Sequence, residues 1–171
     1  MKRILLIPAV AAALFSTSFA QNPFQKFIGK PAPAFSLKTL SGKTLTNANT
    51  KGKVVLIDMW ASWCGPCKAA SPTMQELHKK FASKGLMVVG ANVMDGSVAD
   101  SKMQSAKYQK EHKFSYTFAF GADPLAEKFG VQGIPFFVVI DRTGIVRDVM
   151  VGFSAEHSPS VFANSISKWL K

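Results

Sequence analysis

The two cysteines of this chain stand three positions apart, in Trp60-Ala-Ser-Trp63-Cys64-Gly65-Pro66-Cys67-Lys68. Two thiols at that spacing close into a small ring, so the pair can store two electrons reversibly. The reactive form of such a sulfur is the thiolate, and its surroundings decide how readily it forms. An apolar, β-branched run precedes the motif and a helical pattern follows it, which places Cys64 where a helix begins. A helix N-terminus offers unpaired N–H groups and a partial positive charge. Together they can move a cysteine from about 8.5 into the range ~3.5–7.5. Cys64, in the outer position, is the expected attacking thiolate. Cys67, one turn later, is expected to attack the mixed disulfide and release the partner. Gly65-Pro66 keeps the loop tight and lets a partner approach, and the rings of Trp60 and Trp63 flank the site with apolar surface.

Other uses of a cysteine pair fit less well. A structural zinc site needs four ligands, and His78, His112 and His157 show no ligand spacing with one another. No metal and no cofactor is therefore expected. A structural disulfide closing a four-residue loop would be a poor staple, because stabilisation grows with loop length.

The elements that position the pair can be read along the chain. Residues 21–34, punctuated by proline and glycine, are expected to wrap the outside. Phe35–Leu40 and Lys43–Leu45 flank Ser41-Gly42 as a small hairpin. Val54–Trp60 reads as a fully buried central strand. From Pro66 to Lys84 the pattern is helical, with Met74, Leu77 and Phe81 on one face and Pro72 as a kink. Gly85 closes it before a second buried strand, Leu86–Val93. Asp100–His112 is expected as a polar helix, Phe114–Phe120 as an aromatic strand and Asp123–Phe129 as a helix with Asp123 at its cap. Phe136–Ile140 and Ile145–Val151 form a hairpin around Asp141–Gly144. Ser158 caps a terminal helix carrying Val161, Phe162, Ile166 and Trp169. This order predicts an α/β fold with a mixed central sheet flanked by helices.

At 171 residues the chain suits one domain. Lys2 and Arg3, the apolar run Ile4–Phe15, and Ser18 and Ala20 before Gln21 form the pattern of a secretory signal peptide cleaved after Ala20. Twelve apolar residues span roughly 18 Å as a helix, short of a ~30 Å hydrocarbon core. No cysteine follows the cleavage point for a lipid anchor. The division expected is thus residues 1–20 as leader and 21–171 as domain, placed in the periplasm or otherwise outside the cytoplasm. The net charge of +11 falls to +9 once Lys2 and Arg3 are removed. The lysines are scattered from Lys26 to Lys171 and the chain has three arginines, which argues against nucleic acid as a partner.

Asp58-Met-Trp-Ala-Ser-Trp-Cys-Gly-Pro-Cys-Lys68 resembles the active-site segment of thioredoxins, and Pro72 matches their helix-kinking proline. Pro31-Ala-Pro-Ala-Phe-Ser-Leu37, the Gly-Lys-Val-Val-Leu approach to the motif and Gly133-Ile134-Pro135 before the last hairpin resemble, more narrowly, the exported TlpA/ResA-like thiol–disulfide oxidoreductases. Pro135 lies 68 positions after Cys67, which leaves room for that group's central insert. The resemblance implies a thioredoxin-like fold with a central insert and an N-terminal extension. It implies a cis Pro135 beside the cysteine pair, with the backbone of Ile134 pairing an extended client segment, as in strand addition. Trp63, Gly65 and Pro66 complete the expected client surface. Asp58 takes the place of the buried acid that assists proton transfer at the inner cysteine. Its neighbours Leu56, Ile57 and Met59 argue for burial, which raises a carboxylate's pKa and suits a proton acceptor for Cys67. Asp95 falls near the active-site glutamate of ResA-like members and is a candidate proton relay.

The function implied is protein-disulfide reduction by dithiol exchange, with client proteins carrying disulfides or haem-binding cysteines, as in cytochrome c maturation. A membrane-linked electron donor and a monomeric state are expected. Gly65-Pro66 lacks the histidine that oxidants tend to carry between their cysteines. A potential nearer thioredoxin's, about −270 mV, than DsbA's, about −120 mV, follows. Two alternatives share the fold. A thiol peroxidase needs Thr or Ser three residues before its cysteine and Pro seven before, where this chain has Ala61 and Ile57. A copper-delivering protein wants a third ligand such as a late histidine.

Overall fold

The computed structural model describes residues 23–171; the leader expected at residues 1–20 lies outside them. The apolar run Val54–Trp60 forms β3, and every residue of it is buried. It lies between β4 (Leu86–Asn92), parallel to it, and β6 (Phe136–Ile140), antiparallel to it. With β1 (Ser36–Thr39), β2 (Thr44–Thr46), β5 (Thr117–Phe120) and β7 (Val146–Val151) the sheet runs β2-β1-β5-β4-β3-β6-β7. The β4–β5 pair is parallel, and β1–β2, β1–β5 and β6–β7 are antiparallel, so the sheet is mixed as expected.

Alternation along β3 divides its side chains between two cores. Val55, Ile57 and Met59 join the core covered by α3 (Asp123–Phe129). Val54, Leu56 and Trp60 join the core under α1 (Gly65–Phe81), α2 (Val98–His112) and α4 (Ser158–Trp169). Asp58 shares the parity of Leu56 and Trp60 and therefore faces the α1 side.

α1 buries Cys67, Ala70, Met74, Leu77 and Phe81 at spacings of three and four and continues through Pro72. Its last expected residues, Ala82–Lys84, tighten into a 3₁₀ turn, and Gly85 at φ +98° ends it in the left-handed region that glycine enters freely. α2 starts before the expected Asp100. Ser97 is its N-cap, and Asp100 closes a capping box by accepting the Ser97 N–H. β5 is shorter than the aromatic run predicted. Phe114 N–H bonds Gln109 O, and Ser115 N–H bonds Gln75 Oε1, so these residues serve the helices and not the ladder. Asp123 and Ser158 are first helical residues instead of caps. Their side chains accept from Met94 N–H and Ser154 N–H across neighbouring loops.

The segment before β1 packs on the α3 side, where Phe24 meets Phe136 and Phe27 meets Phe129 with ring centroids 4.8 and 4.9 Å apart. Two interactions at the far end tie the turns together. Asp141 accepts from Thr143 N–H, Thr143 Oγ, Ile145 N–H and Arg147 Nε. Arg142 donates to the carbonyls of Gly52, Lys84 and Leu170.

Candidate active site at the Cys64–Cys67 pair

Cys64 is the N-cap of α1, and its Sγ accepts the Cys67 N–H at 3.2 Å. The two sulfurs are joined as a disulfide with Cα atoms 5.3 Å apart. Pro66 occupies the first turn, where its missing N–H removes no helical bond. Cys64 is 3% exposed and Cys67 0%. Gly65 and Pro66 between them are exposed, and Trp63 is 62% exposed. The motif thus presents one edge to a partner and seals the other in the core. Sulfur on a helix N-terminus meets amide N–H groups and the positive end of the peptide dipoles, and both favour the thiolate once the disulfide is opened.

The loop before Cys64 is held by Asp95. Its carboxylate accepts from Ser62 N–H at 2.7 Å, Ser62 Oγ at 2.9 Å and Asn92 Nδ2 at 2.6 Å. Asp95 therefore anchors the loop at Ser62, two residues upstream of the outer cysteine, with both oxygens engaged by that loop and β4. Its neighbour Met94 has φ +57°, a conformation that costs a non-glycine residue roughly 1–2 kcal/mol. Two bonds hold it there: its N–H donates to Asp123, and its carbonyl accepts the Trp63 indole N–H at 2.9 Å. Met94, Ser62 and Asn92 were not singled out in the sequence. Asp95-Gly96 marks a turn, but nothing local tells which segment the turn will touch.

The Ile134–Pro135 peptide is cis. Pro135 is buried, and Ile134 packs against the cluster that holds both cysteines. Asp58 is buried on the α1 face of β3, the face that also carries the cysteine pair, and neither of its oxygens has a hydrogen-bond partner. Burial alone pushes its pKa up to about 8. Across the sheet it stands in register with Gly90 of β4 and Phe137 of β6. At Gly90 a Cβ would lie 3.0 Å from the Tyr116 ring, so the missing side chain is what lets that phenol lie over β4 beside Asp58. Among the described residues no cluster of three or more His, Cys, Asp or Glu could hold a metal ion.

Fold and site define a thiol–disulfide oxidoreductase of thioredoxin-like fold. The chain belongs to the Redoxin family, whose model matches residues 27–166. It is 34% identical over 124 residues to the thioredoxin-like protein YneN of Bacillus subtilis, covering 72% of this chain and 71% of that one. It is 35% identical over 162 residues to the thiol:disulfide interchange protein DsbE of Pseudomonas fluorescens, covering 89% and 86%. The crystal structure of a thiol:disulfide interchange protein of the thioredoxin family from Chlorobium tepidum superposes with a TM-score of 0.69 at 30% identity, over 82% of this chain and 96% of that one.

Proposed function

We propose that this protein is an exported protein-disulfide reductase, and that its clients carry disulfides or oxidised haem-binding cysteines. The observation that carries the reading is the Cys64 sulfur capping α1, where the helix favours its thiolate. In the reduced protein, Cys64 thiolate attacks a client disulfide. A Cys64–client bond forms and one client thiolate leaves. Cys67 thiolate then attacks the Cys64 sulfur, forming the Cys64–Cys67 disulfide seen here and releasing the second client thiolate. Two electrons pass to the client, and a membrane-linked donor must return them.

Cys67 surrenders its proton to Asp58. Burial raises Asp58 to about 8, so its carboxylate form is a stronger base toward a thiol than an ordinary aspartate. Trp63, Gly65, Pro66 and the backbone of Ile134, set by Pro135, form the surface that receives an extended client segment. Asp95 serves that surface by holding Ser62, in support of a role at the active-site loop. The relative named a thiol:disulfide interchange protein supports exchange with client proteins, and the charged-then-apolar start of this chain supports a place outside the cytoplasm, where apocytochromes with oxidised haem-binding cysteines would be clients. No described helix is long and apolar enough to cross a membrane. The protein acts as a monomer.

Trapping tests the reading. Cys67→Ser should hold clients on Cys64 as mixed disulfides that reductant releases, and mass spectrometry should find cysteine-bearing exported proteins among them. An ordinary Cys64 pKa in alkylation rates across pH, or insulin reduction undiminished by Cys64→Ser/Cys67→Ser, would refute it.

A further inference from the structure

Beneath Cys67 lies a group of hydroxyls that the exchange reaction as written does not use. Ser71, one turn along α1 and 1% exposed, donates from Oγ to the Cys67 carbonyl at 3.2 Å. The same oxygen accepts the phenol of Tyr108, on α2, at 3.2 Å. Tyr108 is wedged between Trp60 and His112, with ring centroids 4.7 and 4.5 Å away. Its outer side lines a surface cleft of about 140 Å³ with Ser62, Lys68, Gln104, Lys107 and Glu111.

We propose that Tyr108 is a positioning residue for Cys67, acting through Ser71, so that α2 governs the second half of the exchange. The inference rests on the dithiol-exchange reading above and names a further residue for it. When the disulfide opens, the Cys67 sulfur must be free to move while its backbone keeps its place over β3. A serine hydroxyl bonded to the carbonyl four residues back competes with the helix and by itself loosens the turn. With the Tyr108 phenol donating to that hydroxyl, the turn is instead tied to α2.

The same cluster sets the surroundings of Asp58. On its side of the sheet lie Cys67 and Trp60, Ser71 of α1, Tyr108 of α2 with His112 against it, and Tyr116, and the Asp58 charge acts on both phenols. β4 contributes Gly90 and β6 Phe137, neither of them charged. Lys68, Lys107 and Glu111 stand at the cleft on the far side of Tyr108. Burial, opposed by the Ser71 bond and reinforced by the Asp58 charge, holds Tyr108 above the ordinary phenol value, so it stays a donor through the working range.

Reduced full-length protein mixed with 5,5′-dithiobis(2-nitrobenzoate) separates the two steps. Cys64 attack releases the first thionitrobenzoate, and Cys67 attack on the resulting mixed disulfide releases the second. Tyr108→Phe keeps the ring and loses the hydroxyl. It should slow the second phase by about 2- to 10-fold, the worth of one hydrogen bond, and raise its pH midpoint, with the first phase within about twofold. Ser71→Ala, which suits a helix, should do the same, and the double variant should be no slower than the singles. An unchanged second phase and midpoint in Tyr108→Phe, equal slowing of both phases, or multiplicative effects in the double variant would each overturn the positioning role. A wild-type protein with no second phase would remove the exchange reading and this role together.

Discussion

The two faces of the sheet are built to different rules. On the α3 side the core is apolar: Val55, Ile57, Met59, Phe129, Phe136 and their neighbours pack without a buried ionisable group. On the α1 side the same sheet carries a disulfide, a carboxyl, two phenols and a buried serine among Leu56, Trp60, Met74 and Phe162. Close packing stabilises the first face. The second gives up some of that stability to hold groups that move protons and electrons, and the unpartnered Asp58 is the plainest instance. Asp141 makes the contrast sharper. Burial pushes it up too, but bonds from Thr143, Ile145 and Arg147 outweigh that and bring it to about 2. One acid is satisfied and structural, and the other is left poised near neutrality.

Emptying the apolar face should give the largest effect on stability. Phe129→Ala should cost about 3–5 kcal/mol in urea unfolding, while the pH dependence of Cys64 alkylation in the folded fraction stays that of wild type. A shifted Cys64 profile would show that the two faces are coupled.

Asp58→Asn should move stability and rate in opposite directions. A carboxyl raised from 3.8 to about 8 keeps its proton in the folded state where the unfolded chain has lost it. Stability therefore falls as pH climbs between those values, and the asparagine variant escapes that loss. Its stability should gain on that of wild type by several kcal/mol between pH 3 and pH 8. Release of mixed disulfides should slow by roughly a hundredfold, the usual worth of a positioned base, with Cys64 attack nearly intact. Wild-type rates in both steps would remove Asp58 from the reaction.

The chain's own pattern reveals much of this contrast and hides some of it. The buried strand, the helix start at Cys64 and the acid among Leu56, Ile57 and Met59 are local features, so periodicity and capping chemistry read them directly. The hydroxyl cluster is not local. Ser71 and Tyr108 meet only because α1 and α2 lie on the same face of the sheet, and Gly90 matters only once Tyr116 lies over it. The place of Asp95 near the site is legible in the pattern, but its partners Ser62 and Asn92 depend on how a loop meets the end of β4. Asp123 and Ser158 illustrate the same limit, since each looks like a cap and instead accepts from a residue outside its helix, Met94 for Asp123 and Ser154 for Ser158.

Smaller effects test the structural half of the comparison. Asp141→Asn should destabilise by about 1–3 kcal/mol at pH 7, because four donors lose a charged acceptor. The sign is opposite to that of Asp58. A lowered carboxyl stabilises above its unfolded value and loses that contribution as pH falls from 3.8 toward about 2, so the two proteins should converge there. A constant difference down to pH 2 would mean that shape, not charge, is what Asp141 supplies. Ser97→Ala should cost about 1 kcal/mol and speed amide exchange in the first turn of α2. If it also slows the second thionitrobenzoate release, the hold of α2 on Cys67 extends to its N-terminus.

Arg142 gives the last turn of the chain more weight than its position suggests. One guanidinium gathers the loop that feeds β3, the end of the segment following α1 and the carbonyl of Leu170. A protease that trimmed only the final two residues would leave that cation short of an acceptor and loosen the rear of the domain, so carboxyl-terminal clipping should register as lower thermal resistance even with the cysteine chemistry untouched.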